Sequence, residues 1–192
     1  MIESKLSLQK LPGTFLMWLI LLNEFLVFAG LIVACALFRV REKDLFLSSA
    51  KHLNLQSGIT ATLFLLAGGY FAAEFIKYSE KKRSKRAVAG LVAAIGAGFL
   101  FLHHKWQDLG ALSTQGFDFA RDDFWLFYWG IMTFHFAHVL VAVGILLYIL
   151  FAYLKNEKES EESSRFFASG VLFWHLCDVI WVMIFPLFFW RP

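Results

Sequence analysis

The sequence has no stretch that could fold as a separate soluble domain. Charged residues make up only 17% of its 192 positions, where a soluble chain usually has about 25%. Cysteine is almost absent: Cys35 and Cys177 are the only two, and both sit within apolar runs. That excludes a disulfide framework and says little about redox compartment. No internal repeat of the kind that marks many small transporters is evident. What remains is apolar: 59% hydrophobic residues and a mean hydropathy of +0.62, against about 45–50% apolar in soluble chains. Such a chain is solvated by lipid.

A membrane span needs roughly 20 apolar residues. Five such runs use up the chain, at about residues 13–38, 53–77, 87–102, 124–153 and 166–190. Residues 1–192 therefore read as one all-α membrane domain, a bundle of five transmembrane helices. Lys5 and Lys10 followed by an apolar run imitate a secretory signal, and Ile32-Val33-Ala34-Cys35 resembles a lipoprotein cleavage box. The run from Leu11 to Phe38 exceeds the roughly 7–15 residues of a signal core and contains Glu24, so a retained first helix is expected.

Orientation follows from the formal charges. Lys77, Lys81, Lys82, Arg83, Lys85 and Arg86 crowd one connection, which places it on the cytoplasmic side. The N-terminus and the serine-rich, charged linker from Lys155 to Arg165 then share that side. The acidic connection with Asp118, Asp122 and Asp123 lies outside, with the C-terminus on the periplasmic side. Arg39, Arg41, Lys43 and Lys51 run against this rule in the first outer loop. The third span is short, and His103, His104 and Lys105 are expected to end it at the far surface. Trp106, Trp125, Trp190 and Tyr153 fall near predicted ends, as interfacial aromatics do. Gly30, Gly68, Gly69, Gly90, Gly96 and Gly98 are candidate sites of close helix packing.

Five polar groups interrupt the apolar runs. A helix rises about 1.5 Å per residue, which puts Glu24 about 16 Å into span one. His135 and His138 come out about 16 to 21 Å into span four, and His175 and Asp178 about 14 to 18 Å into span five. With a hydrocarbon core about 30 Å thick, all five lie near the midplane. They are expected to form one shared polar cluster. Three readings of it stay open: a hydrogen-bonded pin between helices, a metal site built from His-x-x-His and His-x-x-Asp, or a group that relays protons or holds a lipid headgroup. A stand-alone membrane metalloenzyme using His135, His138 and His175 is the rival from another class.

Phe173-Trp174-His175-Leu176-Cys177-Asp178-Val179-Ile180-Trp181 resembles the WHxxDxxW signature of subunit III of the haem-copper oxidases. A His-x-x-His helix before it matches His135 and His138, and a buried glutamate in the first helix matches Asn23-Glu24-Phe25-Leu26-Val27-Phe28-Ala29-Gly30. The motifs keep the family's order, and the resemblance covers nearly the whole chain in its five-helix form. It implies a non-catalytic subunit of a complex in the bacterial inner membrane, supporting assembly, stability and sustained proton-coupled oxygen reduction. It implies no haem, copper or other metal bound directly, a haem-bearing catalytic partner with or without copper, bound phospholipid and no nucleic-acid partner. The accessory membrane subunit of a nitric oxide reductase is the alternative within the family. By the same resemblance Glu24, His138 and Lys155 are candidate lipid-binding residues. Phe136-Ala137 replace the family's usual Gly-Leu, Lys155 stands where an arginine often follows, and His103-His104-Lys105-Trp106 replace the carboxylates that often end the third helix.

Overall fold

In the computed structural model the described residues are 12–81, 84–155 and 161–190, and no strand occurs among them. Lys5, Lys10, Lys82, Arg83 and positions 156–160 of the linker, used above for orientation, lie outside the described residues. The helices follow in the order α1 (Phe15–Arg41), α2 (Lys43–Ala50), α3 (Leu55–Glu80), α4 (Ser84–Thr114), α5 (Asp123–Leu154) and α6 (Glu161–Phe189). All but α2 are long and apolar enough to cross a membrane, which makes 5 candidate spans. Helices satisfy their own backbone in lipid, so this is the form an apolar run must take there.

Side chains set several of the starts. Thr14 Oγ1 accepts from the Met17 N–H at 3.3 Å, Asn54 Oδ1 from the Gln56 N–H at 3.0 Å, and Asp122 Oδ1 from the Trp125 N–H at 3.1 Å. Glu42, at φ −114° and ψ 53°, breaks the helix between α1 and α2.

Helices α3, α4, α5 and α6 close a four-helix ring in which each packs on two neighbours. Helix α1 lies outside that ring, against α6 and α5. Its buried positions are Leu21, Phe28 and Cys35, a narrow seam one heptad apart, while Leu16, Leu26, Leu37 and Val40 stay exposed. Both ends of α1 are fastened to α6. The Thr14 N–H donates to Ser169 Oγ at 3.0 Å. Arg39 donates from Nη1 to the Leu187 carbonyl at 2.9 Å and from Nη2 to the Trp190 carbonyl at 3.0 Å, with its guanidinium 5.1 Å from the centre of the Phe46 ring. A cation here satisfies carbonyls left open at the end of α6 and meets the negative end of its dipole. Arg39 therefore has a structural use that accounts for one of the basic residues out of place by the orientation rule.

Three expectations need correction. Helix α4 runs on to Thr114, so His103, His104 and Lys105 lie inside it and do not end it. The apolar face continues through Leu109 and Leu112, which keeps the helix packed. Residues 161–165 open α6 and are helical where a loop was expected, while Glu162, Ser164 and Arg165 are exposed as expected. Trp125 and Tyr153 are buried interior residues, whereas Trp106 and Trp190 are exposed, Trp106 within α4 and not at its end.

Candidate functional site

Helix α5 carries a buried stripe through Tyr128, Ile131, Met132, His135, Val139, Ala142 and Leu146. His135 belongs to that stripe and faces the interior. Successive residues turn by about 100°, so a residue three positions on is displaced by about 60° around the axis. That offset turns His138 away from the interior and towards α1. There its Nε2 lies 3.1 Å from Glu24 Oε2, and its Nδ1 lies 2.8 Å from the Phe134 carbonyl oxygen. A carbonyl only accepts, so Nδ1 must carry a hydrogen. One further proton is then shared between Nε2 and the Glu24 carboxyl, either as a neutral pair or as an ion pair. Phe28 packs edge-on to His138 with ring centres 5.1 Å apart, and Phe173 stacks on it at 6.2 Å. The pair sits in an apolar seam, with side chains 13% and 23% exposed.

His135 has different company. Its ring lies among Phe28, Phe101 and Trp181, with centroid distances of 6.3, 5.9 and 5.4 Å. Neither of its nitrogens has a hydrogen-bond partner among the described residues.

The signature on α6 is spent on packing. Trp174 enters a recess that exists only because α3 and α4 carry glycines there: a β-carbon at Gly68 would overlap its ring, and one at Gly98 would lie 2.9 Å from it. The Asp178 carboxyl occupies the space where a β-carbon of Gly69 would stand. Trp181 donates from Nε1 to Thr62 Oγ1 at 2.8 Å. His175 Nδ1 lies 3.2 Å from Asp178 Oδ2. Trp174 Nε1 and Asp178 Oδ1, one turn apart on α6, are both buried, with the indole N–H beside the carboxyl.

The expected single cluster thus separates into the pair Glu24–His138, the pair His175–Asp178 and the lone imidazole of His135. The depth arithmetic set their height along the helices; the 60° offsets, which it ignored, decide their neighbours. Among the described residues no three His, Cys, Asp or Glu side chains are grouped as a metal ion would require. Lys155 caps the end of α5 with its ammonium 4.3 Å from the centre of the Phe151 ring, on an exposed position.

The glycines divide as well. Gly68, Gly69, Gly90 and Gly98 face neighbouring helices, and a β-carbon at Gly90 would lie 3.1 Å from the Phe71 carbonyl oxygen, so α3 and α4 meet backbone to backbone there. A β-carbon at Gly30 or Gly96 would meet no neighbouring helix within 4 Å, and both lie on outward faces.

Two polar features were missed in the sequence. Lys105 is 2% exposed, with Nζ 3.1 Å from Asp108 Oδ2 and 5.5 Å from the centre of the Trp181 ring. Ala94, Gly98, Phe101, Lys105 and Leu109 repeat at helical spacing, and that stripe was the available signal. His104 Nε2 lies 2.8 Å from Ser57 Oγ, tying α4 to α3, while His103 beside it is exposed.

Compared with known proteins, no family model matches the chain. It is 27% identical over 176 residues to the cytochrome c oxidase subunit 3 of Bacillus sp. (strain PS3), covering 88% of this chain and 81% of that protein. It is 18% identical over 168 residues to a probable quinol oxidase subunit 3 of Staphylococcus aureus (strain USA300), covering 88% and 83%. A probable quinol oxidase subunit 3 of Staphylococcus epidermidis (strain RP62A) is 22% identical over 124 residues, which are 65% of this chain. The chain spans only 61% of the length of that relative. Over most of its length, and at low identity, the chain is similar to subunit 3 of terminal oxidases, consistent with the subunit III family.

Proposed function

We propose that this chain is the non-catalytic third subunit of a bacterial haem-copper oxidase complex in the inner membrane. One observation carries the reading: Trp174, Asp178 and Trp181 of the signature fill glycine recesses or bond to α3. A motif used up in fastening helices suits a supporting subunit better than a catalytic one. The rival metalloenzyme draws no support from an arrangement in which the candidate ligands are split between separate neighbours. The haem stays with the partner, the basic 77–86 connection lies in the cytoplasm, and phospholipid covers the exposed apolar faces.

Within this reading the Glu24–His138 pair has the chemistry of a one-proton store at the seam between α1 and the ring. It would help keep the partner subunit supplied with protons during sustained turnover. The test is gentle detergent extraction of the native membrane followed by mass spectrometry and a haem spectrum of whatever copurifies with this chain. A terminal oxidase catalytic subunit is expected. A nitric oxide reductase subunit would select the alternative within the family, and recovery of the chain without any haem-bearing partner would refute the proposal.

A further inference from the structure

Asn23 stands beside Glu24 on α1 and faces the other way. The buried seam of α1 is Leu21, Phe28 and Cys35. Asn23 comes five positions before Phe28, which turns it about 140° around the helix axis from that seam. Its side chain is exposed, and its amide has no hydrogen-bond partner among the described residues. The run from Phe15 to Phe38 holds no charged or amide side chain besides Asn23 and Glu24. Asn23 lies about 12 Å along the helix from Phe15 and about 22 Å from Phe38, well inside the hydrocarbon. An amide at that depth costs free energy unless another chain bonds to it. Phospholipid has no donor or acceptor there, because its polar groups lie at the two surfaces. The same outward face carries Gly30 and, one turn on, Ala34. A β-carbon at Gly30 would meet nothing within 4 Å, and Ala34 is exposed. Small residues four apart let a second helix come close, here about 10 Å along from Asn23.

We propose, on the footing of the subunit reading, that this face of α1 docks a transmembrane helix of the haem-bearing partner, which presents a hydrogen-bonding side chain to Asn23 at mid-depth. Gly30 and Ala34 set the closeness of approach, and the Asn23 amide sets the register. Interhelical polar bonds and close packing of small residues are what hold helices together in lipid, where apolar surface alone gives little drive. Helix α1 is also the span that its own chain covers least. Only 17% of its most apolar stretch is buried, against 33–61% in the other four spans. The partner's helix lies on the side of α1 away from the ring, so α1 stands between the two subunits. The other outward faces keep their lipid.

The test uses native membranes holding the complete complex. A photocrosslinking residue in place of Leu26, which is 61% exposed beside Asn23 and Gly30, should capture the haem-bearing subunit. Asn23→Leu should leave the unfolding temperature of the isolated chain no lower than the parent's, because leucine suits lipid better than asparagine does. The same variant should hold the haem-bearing subunit about three- to thirtyfold more weakly, read from its retention on dilution in mild detergent, the effect of one interhelical polar bond. Asn23→Gln keeps an amide and should recover part of that loss. Ala34→Phe obstructs the close approach and should lower retention with Asn23 still in place. A crosslink only to lipid, or only to a second copy of this chain, would overturn the proposal. So would equal retention in the parent, Asn23→Leu and Ala34→Phe. In those cases a haem-bearing subunit still copurifies with the parent, and the subunit reading stands. Its absence from the parent's preparation would overturn both.

Discussion

Gly69 of α3 lies so close to Asp178 of α6 that a β-carbon there would overlap Oδ2. The pair His175–Asp178 can form within the bundle only because α3 has no side chain at that point. Glycine is required here for space, since the position is ordinary helix.

The first prediction follows from that contact. Overpacking a well-filled interior costs about 1–3 kcal/mol. Gly69→Leu and Gly68→Leu should each destabilise the purified chain by at least that much, read as a lowered unfolding temperature in detergent. Gly30→Leu and Gly96→Leu point outward and should leave the isolated chain unchanged. If either of these two nevertheless lowers recovery of the native complex, its face meets the partner subunit. Equal tolerance at Gly68, Gly69, Gly30 and Gly96 would contradict the packing described here.

Glu24 gives the second. Glu24→Gln keeps a group able to donate to His138 Nε2, so α1 should stay docked. Glu24→Leu removes the bond, and an interhelical polar bond in a membrane contributes about 0.6–2 kcal/mol. The Gln variant should therefore assemble normally, judged by haem content, yet lose activity faster over many turnovers because the amide cannot pass on a proton. Equal durability of Glu24→Gln and the parent would leave the pair as a structural pin only.

The third concerns Lys105. Its ammonium is buried and its pairing with Asp108 is at 3.1 Å. Removing one partner of a buried ion pair costs about 3–5 kcal/mol, whereas replacing the cation by a well-packed apolar residue is often close to neutral. Asp108 is 24% exposed on its side chain, which moderates the first figure. Asp108→Leu should thus be markedly less stable than Lys105→Met, with the double variant recovering much of the loss. Thermal unfolding of the four proteins measures this, and an Asp108→Leu chain as stable as Lys105→Met would show that Lys105 does not depend on Asp108 as its partner.

Topology is the fourth. Three spans, α4, α5 and α6, separate Ser84 from the C-terminal region. Reporter fusions at Ser84 and Pro192 should be active on opposite sides of the membrane, with Ser84 in the cytoplasm. The same side for both would remove the five-span arrangement.

Much of this could be read from the sequence. Apolar run length determines the number of spans, because lipid leaves an apolar chain no alternative to the helix. Of the six glycines that signalled close packing, Gly68, Gly69, Gly90 and Gly98 do face a neighbouring helix, whereas Gly30 and Gly96 do not. The sequence also carried a signal that was not used, the stripe that makes Lys105 an interior residue.

Contact partners were beyond it. Residues three apart look like one helical face, yet the remaining 60° sends His135 into a box of aromatic rings and His138 to Glu24, and sends Asp178 to Gly69 while His175 opens on a groove between α1 and α6. Which way a side chain points is fixed by the rotation of each helix about its own axis. That rotation is chosen by how all the large residues of the ring pack at once, Trp174 in its glycine recess above all. The run lengths alone therefore settled the five long apolar helices, though not the short α2, and the height of each polar group along its own helix. Tertiary packing decided which of those groups meet.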